Sequence, residues 1–212
     1  MKHVLLAPVV AAAVFSAAPA SAAVVVSMDP ASQSVAVGDT IIVDVRISGL
    51  GTDILSAFDL DVVFNTGLTT GGGASLLDAE FGGANAGFDA DASTPGVLKT
   101  VGYSLLNDDD LAAVQTNGAF TFLRMSWTAA ADGALLLNFG ASPDFARNVV
   151  GRDFLSLDAS FAGACVAIGT GICKVPEPGS FGLAGLALFG CAAAVLRRPR
   201  RGAATTAATT QA

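Results

Sequence analysis

Between residues 24 and 170 apolar side chains return at every second position, and no 3.6-residue period competes with them. Ile41, Val43, Val45 and Ile47 fall on one side of a segment whose other side carries Thr40, Asp44 and Arg46. Phe58, Leu60, Val62 and Phe64 alternate with Asp59, Asp61 and Val63, and Leu135, Leu137 and Phe139 repeat the pattern. A strand puts successive side chains on opposite faces, so each run reads as a half-buried strand. The stretch "GAFTFLRMSWT" is less regular: Phe120 and Phe122 share one face, whereas Leu123, Met125 and Trp127 take the other. Either a bulge shifts the register there or both faces are covered. Turn chemistry at Val37-Gly38-Asp39, Gly49-Leu50-Gly51 and Asp132-Gly133 separates the runs, which predicts an all-β antiparallel sandwich. Two stretches rich in Gly, Ala and Asp, 66–96 and 107–117, read as long loops.

The two ends of the chain obey different rules. Lys2, the apolar run Val4 to Ala18 and Ala20-Ser21-Ala22 form the three parts of a secretory signal, residues 1–22. At the other end Phe181 to Leu196 is free of charge. Sixteen residues make a helix of roughly 24 Å, short against a hydrocarbon core of about 30 Å, and Gly182, Gly185 and Gly190 weaken it. Arg197, Arg198, Arg200 and Arg201 follow as a basic stop that stays cytoplasmic. A short span between a polar motif and a basic stop has the layout of a signal that is read and then removed.

Val175-Pro176-Glu177-Pro178-Gly179, the apolar run 181–196 and the arginines together resemble a PEP-CTERM sorting domain, over residues 174–201. The resemblance implies recognition by an exosortase, transient residence in the inner membrane, and delivery to the surface or exopolysaccharide matrix of a Gram-negative bacterium. Residues 202–212, "GAATTAATTQA", run past the point where members of that family usually stop and are expected to be disordered.

The remaining body, residues 23–173, has the length of one domain. The exported region carries all eighteen acidic residues and six basic ones, a net charge of −12. Such a surface repels phosphate backbones, which argues against a nucleic-acid partner. The one histidine, His3, lies in the signal, so the exported body can hold no Ser-His-Asp triad, Cys-His pair or histidine-ligated zinc. Cys165 and Cys173 read as a disulfide in an oxidising compartment, the alternative being a thiolate metal site that lacks further ligands.

Residues 25–51, "VVSMDPASQSVAVGDTIIVDVRISGLG", then "LSAFDLDVVFN" and "FTFLRMSWTAAADGALLLNFG", resemble the strands of a cohesin domain. The resemblance implies a jelly-roll sandwich related in fold to carbohydrate-binding modules, and dockerin binding through one exposed sheet face. No motif marks contact residues on this chain.

Among acidic groups, Asp108, Asp109 and Asp110 could supply oxygen to calcium, but a charge run beside Asn107 reads first as a solvated loop tip. Asp89 and Asp91 imitate the opening of an EF-hand loop, which fails at Thr94 and Thr100. Asp59 and Asp61, two strand rises or about 6.5–7 Å apart on one face, have a spacing compatible with an acid/base pair, although a solvent-facing pair is the commoner meaning. No catalytic residue and no cofactor are expected. Trp127 and Tyr103 are the only Trp and Tyr, too few for an aromatic sugar-stacking strip. The sequence therefore predicts a non-enzymatic binder of a surface protein or an exopolysaccharide, with a ligand-free matrix component as the first alternative and a glycoside hydrolase using paired aspartates as the second.

Overall fold

The computed structural model describes residues 23–140 and 145–173. The signal 1–22, the motif 175–179, the run 181–196, the stop 197–201 and the tail 202–212 lie outside the described residues. Two sheets face each other. The smaller holds β1 (Val24–Asp29), β3 (Thr40–Ser48), β5 (Thr69–Leu76), β8 (Ala119–Ala129) and β11 (Ala159–Ala162), in the order β11-β1-β3-β8-β5. The larger holds β2 (Ser32–Val35), β4 (Ala57–Phe64), β6 (Ala86–Asp91), β7 (Val97–Ser104), β9 (Gly133–Phe139) and β12 (Ala164–Ile168), in the order β2-β12-β9-β4-β7-β6. A further strand, β10 (Arg147–Val150), pairs with the first half of β4 beside β9.

The sandwich is not wholly antiparallel, as the alternation alone suggested. β1 runs parallel to β11, and β2 parallel to β12. Both termini of the domain cross from the smaller sheet to the larger, the first at Pro30-Ala31 and the last at Gly163. Pro30 offers no N–H to continue a ladder, so the strand breaks and restarts in the other sheet. The disulfide between Cys165 and Cys173 ties the end of this seam.

The core lies between the sheets. Ile41, Val43, Val45 and Ile47 of β3 meet Trp127, Met125, Leu123 and Phe120 of β8 in register, all buried. A bulge resolves the uneven β8 stretch: Val45 faces Leu123 while Arg46 faces Thr121, leaving Phe122 as the extra residue. The register shift turns Phe120, Phe122, Leu123, Met125 and Trp127 all inward. Across the core Phe58 of β4 stacks against Phe122, ring centroids 4.9 Å apart, and against Phe81 and Phe88 at 5.8 and 6.5 Å.

Neither long loop is a loop. Residues 66–96 form β5, two 3-10 turns and β6, and residues 107–117 contain the helix α1 (Asp108–Val114). β5 and β6 escape the alternation because Gly71, Gly72 and Gly73 have no side chains to alternate and β6 is exposed at its acidic end. Backbone pairing with β8 and β7 holds them instead. α1 starts where Asn107 Oδ1 accepts the N–H of Asp110, and three aspartates in the first turn favour the positive end of the helix. Among the described residues no helix is long and apolar enough to cross a membrane.

Candidate functional site

The outer face of the larger sheet gathers groups that lie far apart in the chain. Strand β7 sits between β4 and β6, and its register sets three rows. Asp91, Lys99 and Asp61 form the first row; Asp89, Val101 and Asp59 the second, extended by Asn148 of β10; Gly87, Tyr103 and Ala57 the third. Val101 and Tyr103 are 41 % and 46 % exposed, an apolar centre beside three exposed carboxylates, Asp59, Asp89 and Asp91. A Cβ on Gly87 would fall inside the Tyr103 ring, so the ring lies across the bare glycine of the edge strand. Residue 87 must stay small for Tyr103 to lie flat.

The acidic groups are not equivalent. Asp61 is only 4 % exposed, because the segment entering β10 covers it. Its Oδ2 accepts the N–H of Ala146 at 3.0 Å, and its own N–H donates to the Ala146 carbonyl at 2.8 Å. It is therefore not the solvent-facing partner that strand alternation implied. Asp59 remains exposed. Partial burial, then the Asp61 charge, push its carboxyl above the ordinary carboxylate range, and Lys99 offsets part of that. Lys99 stands between Asp61 and Asp91 in register yet makes no ion pair with either among the described residues. Hydrogen bonds from Ser93 hold Asp91 below the usual range.

The folded protein thus binds the Asp59 proton more tightly than the unfolded chain does. This carboxyl adds stability only in acid, and the contribution is lost as pH rises from the ordinary carboxylate range through the raised value. Asp59→Asn is accordingly expected to stabilise at pH 7, by no more than about 0.5 kcal/mol for so exposed a group, with the gain gone at pH 3. Urea titrations of both proteins at the two pH values check it; an equal gain at both would remove the electrostatic cause.

The other face contrasts with this one. On the smaller sheet Arg124 forks onto Asp44, Nε to Oδ1 at 2.7 Å and the second guanidinium nitrogen to Oδ2 at 2.8 Å, across directly paired strands. Thr40, Arg46, Ser126 and Thr128 complete a polar surface on which only Ile42 is a large exposed apolar group.

The carboxylates that could have supplied calcium ligands are engaged locally. Asp108, Asp109 and Asp110 are the first turn of α1, not a free loop tip. Asp108 Oδ2 accepts the N–H of Asp153 at 2.9 Å, Asp109 faces Arg152 at 3.8 Å, and Asp110 Oδ2 accepts from the Asn107 amide at 2.7 Å. Asp89 Oδ1 accepts the N–H of Ala90. Among the described residues no three His, Cys, Asp or Glu converge as a metal cluster, so these five aspartates are not brought together. Neither Asp59 nor Asp61 lines the clefts over Gly71–Gly73 or the cleft between Asp108 and Arg152. Sequence reasoning passed over Lys99 and Val101, although "LKTVGYS" alternates as cleanly as the strands it did find.

Residues 174–201 match the family model of the PEP-CTERM protein-sorting motif. No curated protein matches the chain. Its fold is similar to that of a cohesin module from a Clostridium perfringens family 33 glycoside hydrolase (TM-score 0.55, 14 % identity, covering 70 % of this chain and 98 % of that one). It is similar also to the seventh ScaB type I cohesin of Pseudobacteroides cellulosolvens (0.52, 13 %, 74 % and 98 %). A third likeness is to a type I cohesin–dockerin complex from Clostridium thermocellum (0.53, 10 %, 69 % and 99 %). The chain carries a PEP-CTERM protein-sorting motif at its C-terminal end, behind a β-sandwich with the fold of cohesin modules.

Proposed function

We propose that this is an exported, non-enzymatic binding protein that engages a protein partner through the outer face of its larger sheet. The carrying observation is the asymmetry between the two faces. One presents Val101 and Tyr103 beside the exposed carboxylates of Asp59, Asp89 and Asp91; the other is polar apart from Ile42, its Asp44–Arg124 pair already satisfied. An apolar centre with a charged rim is the composition of a recognition surface, whereas a ligand-free matrix component needs no such patch. The fitting partner carries an apolar anchor flanked by Lys or Arg. A fold shared with cohesins, including one solved with a dockerin, supports this reading. Against hydrolysis stands the engagement of Asp61 with Ala146, which leaves it buried beside an exposed Asp59.

Delivery follows the two ends. Residues 1–22 direct export; an exosortase reads Val175 to Gly179 while the span 181–196 and Arg197, Arg198, Arg200 and Arg201 hold the chain in the inner membrane. The body 23–173 is then released to the cell surface or exopolysaccharide matrix of a Gram-negative bacterium. Support for this comes from the match of residues 174–201 to the sorting-motif model.

The double variant Val101→Asp/Tyr103→Ala tests the binding claim. Proteins captured from the exported fraction by the wild type are expected to be lost, with affinity for the captured partner down at least tenfold and Tm retained. Retention of the same partner at the same affinity would rule this face out.

A further inference from the structure

Three of the four most exposed large apolar side chains among the described residues lie at one end of the larger sheet: Phe154 at 89 %, Leu105 at 71 % and Leu155 at 66 %. Strand pairing brings them there. Lys99, Val101 and Tyr103 occupy the outward positions of β7, and Leu105 follows at the next one. Its N–H donates to the Asn85 carbonyl at 2.7 Å, one step past the Ala86–Ser104 pair, so the β6–β7 ladder reaches it. On the other side of β7 the Ser56 carbonyl accepts the N–H of Ser104 at 2.9 Å, and the Ser56 hydroxyl donates to the Gly151 carbonyl at 2.7 Å. Leu105 and the 3-10 turn Arg152–Phe154 therefore leave the sheet at the same end. A cleft of about 800 Å³ opens there, with Leu106, Asp109, Arg152 and Phe154 on its walls.

The exposure of Phe154 is built into the backbone. Asp153 and Phe154 are the only non-glycine residues at positive φ among the described residues, at 53° and 58°. Two side chains in succession in that region strain the chain, the bulky one most. Neighbours hold the turn in place. Asp53 Oδ1 accepts the N–H of Arg152 at 3.2 Å, Asp108 Oδ2 that of Asp153 at 2.9 Å, and the Arg152 carbonyl that of Leu155 at 3.0 Å. An aromatic ring is thus fixed in water at a conformational cost that core packing does not explain.

Val101 and Tyr103, each half-exposed, supply a small part of the about 800 Å² that each partner gives to a standard interface. Past Lys99 the apolar row stops, since Val97 is buried. Towards Leu105, four strand rises or about 13 Å from Val101, it meets the Phe154 patch. Charge selects the occupant. The Asp109 side chain is 99 % exposed with Arg152 3.8 Å away, Asp153 is exposed, and the exported region carries a net charge of −12. That field repels a second copy of the chain and an anionic lipid surface, and draws in cations.

We propose that the recognition surface of the larger sheet runs from Val101 through Tyr103 and Leu105 onto Phe154 and Leu155, and that a basic amphipathic segment of the partner protein occupies it. Its apolar side lies along this row, and its Lys or Arg side chains meet Asp109 and Asp153. The inference rests on the binding role proposed above for the same face.

A fluorescein-labelled Lys/Leu amphipathic peptide of about 18 residues, some 27 Å long as a helix, is titrated with the full chain by anisotropy. Gln/Leu and Lys/Ser peptides of equal length serve as controls. Saturable binding of the Lys/Leu peptide is expected, at least tenfold tighter than either control. Phe154→Asn/Leu155→Ser keeps the net charge and places at 154 a residue that adopts positive φ more readily. It is expected to weaken binding at least tenfold, with Tm no lower than in the wild type. Val101→Ser/Tyr103→Ala, also neutral, is expected to weaken it as much. Loss in the Val101 variant but not in the Phe154 variant overturns the extension and leaves the face standing as a site. Undiminished affinity in the Val101 variant overturns the continuous footprint and the reading of the face together. No saturable binding, or equal binding of the Lys/Ser peptide, also overturns the proposal. Self-association in sedimentation, or binding to phosphatidylglycerol vesicles, that is lost in the Phe154 variant would assign the patch to a second copy or to lipid instead.

Discussion

Phe58→Ala is expected to cost about 3–5 kcal/mol, the range for removing a fully buried phenylalanine. For a domain of this size that lowers Tm by roughly 10 °C or more. Phe58 is buried at the point where the two sheets meet, in contact with three other phenylalanine rings. Few of its neighbours can collapse into the gap, because Phe122 is held by the bulge in β8 and Phe81 by a 3-10 turn. The same ring explains a glycine. Gly102 lies opposite Phe58 in the β4–β7 ladder, and a Cβ there would enter the Phe58 ring. Gly102→Ala should therefore cost about 1–3 kcal/mol in the wild type and close to nothing once Phe58 is alanine. Urea denaturation of the four proteins gives the cycle, with a coupling of at least about 1 kcal/mol expected. An equal cost of Gly102→Ala in both backgrounds would show that the ring is not what excludes the side chain.

Gln115→Ala is expected to cost about 2–4 kcal/mol, since buried backbone groups left unpaired cost about 1–3 kcal/mol each and water can reach some of them. Gln115 caps α1 and is buried. Its Oε1 accepts the N–H of Leu55 at 2.8 Å, while Nε2 donates to the carbonyls of Leu55 and Glu80 at 2.9 and 2.8 Å. One side chain thus joins the entry to β4, a 3-10 turn and the helix. Gln115→Glu sharpens the test: a carboxylate can accept from Leu55 but donate to neither carbonyl. It should be less stable than the alanine variant at pH 7 and recover in acid, where protonation restores one donor. A Gln115→Ala protein within about 0.5 kcal/mol of the wild type, inside the range of ordinary surface changes, would show that these bonds contribute little.

The contrast between Phe58 and Gln115 describes what was legible. Phe58 stands in an alternating run and is placed in the core by periodicity alone. Gln115 stands in a stretch with no periodicity, and nothing local says that its amide meets the backbone of Leu55, 60 positions earlier, ahead of β4. The helix before it did leave a signal, Asn107 followed by three aspartates, which is as good an N-terminal cap and first turn as it is a charged loop. Propensity could not choose between those readings; packing of Leu111 into the interior did.

The sequence by itself determined the β class, the inward residues of β3, β4 and β9, and the sorting motif at 174–201, because a two-residue period and a linear motif are written in adjacent positions. Only the tertiary structure decided the parallel seam, the edge strands β5 and β6, and the burial of Asp61 against Ala146 while Asp59 stays in water. It also joined Asp59 and Asp61 to Asp89 and Asp91, some 30 positions away, by laying β7 between their strands. Which strand lies beside which is settled by long-range pairing and shared core volume, and those forces leave no local period in the chain.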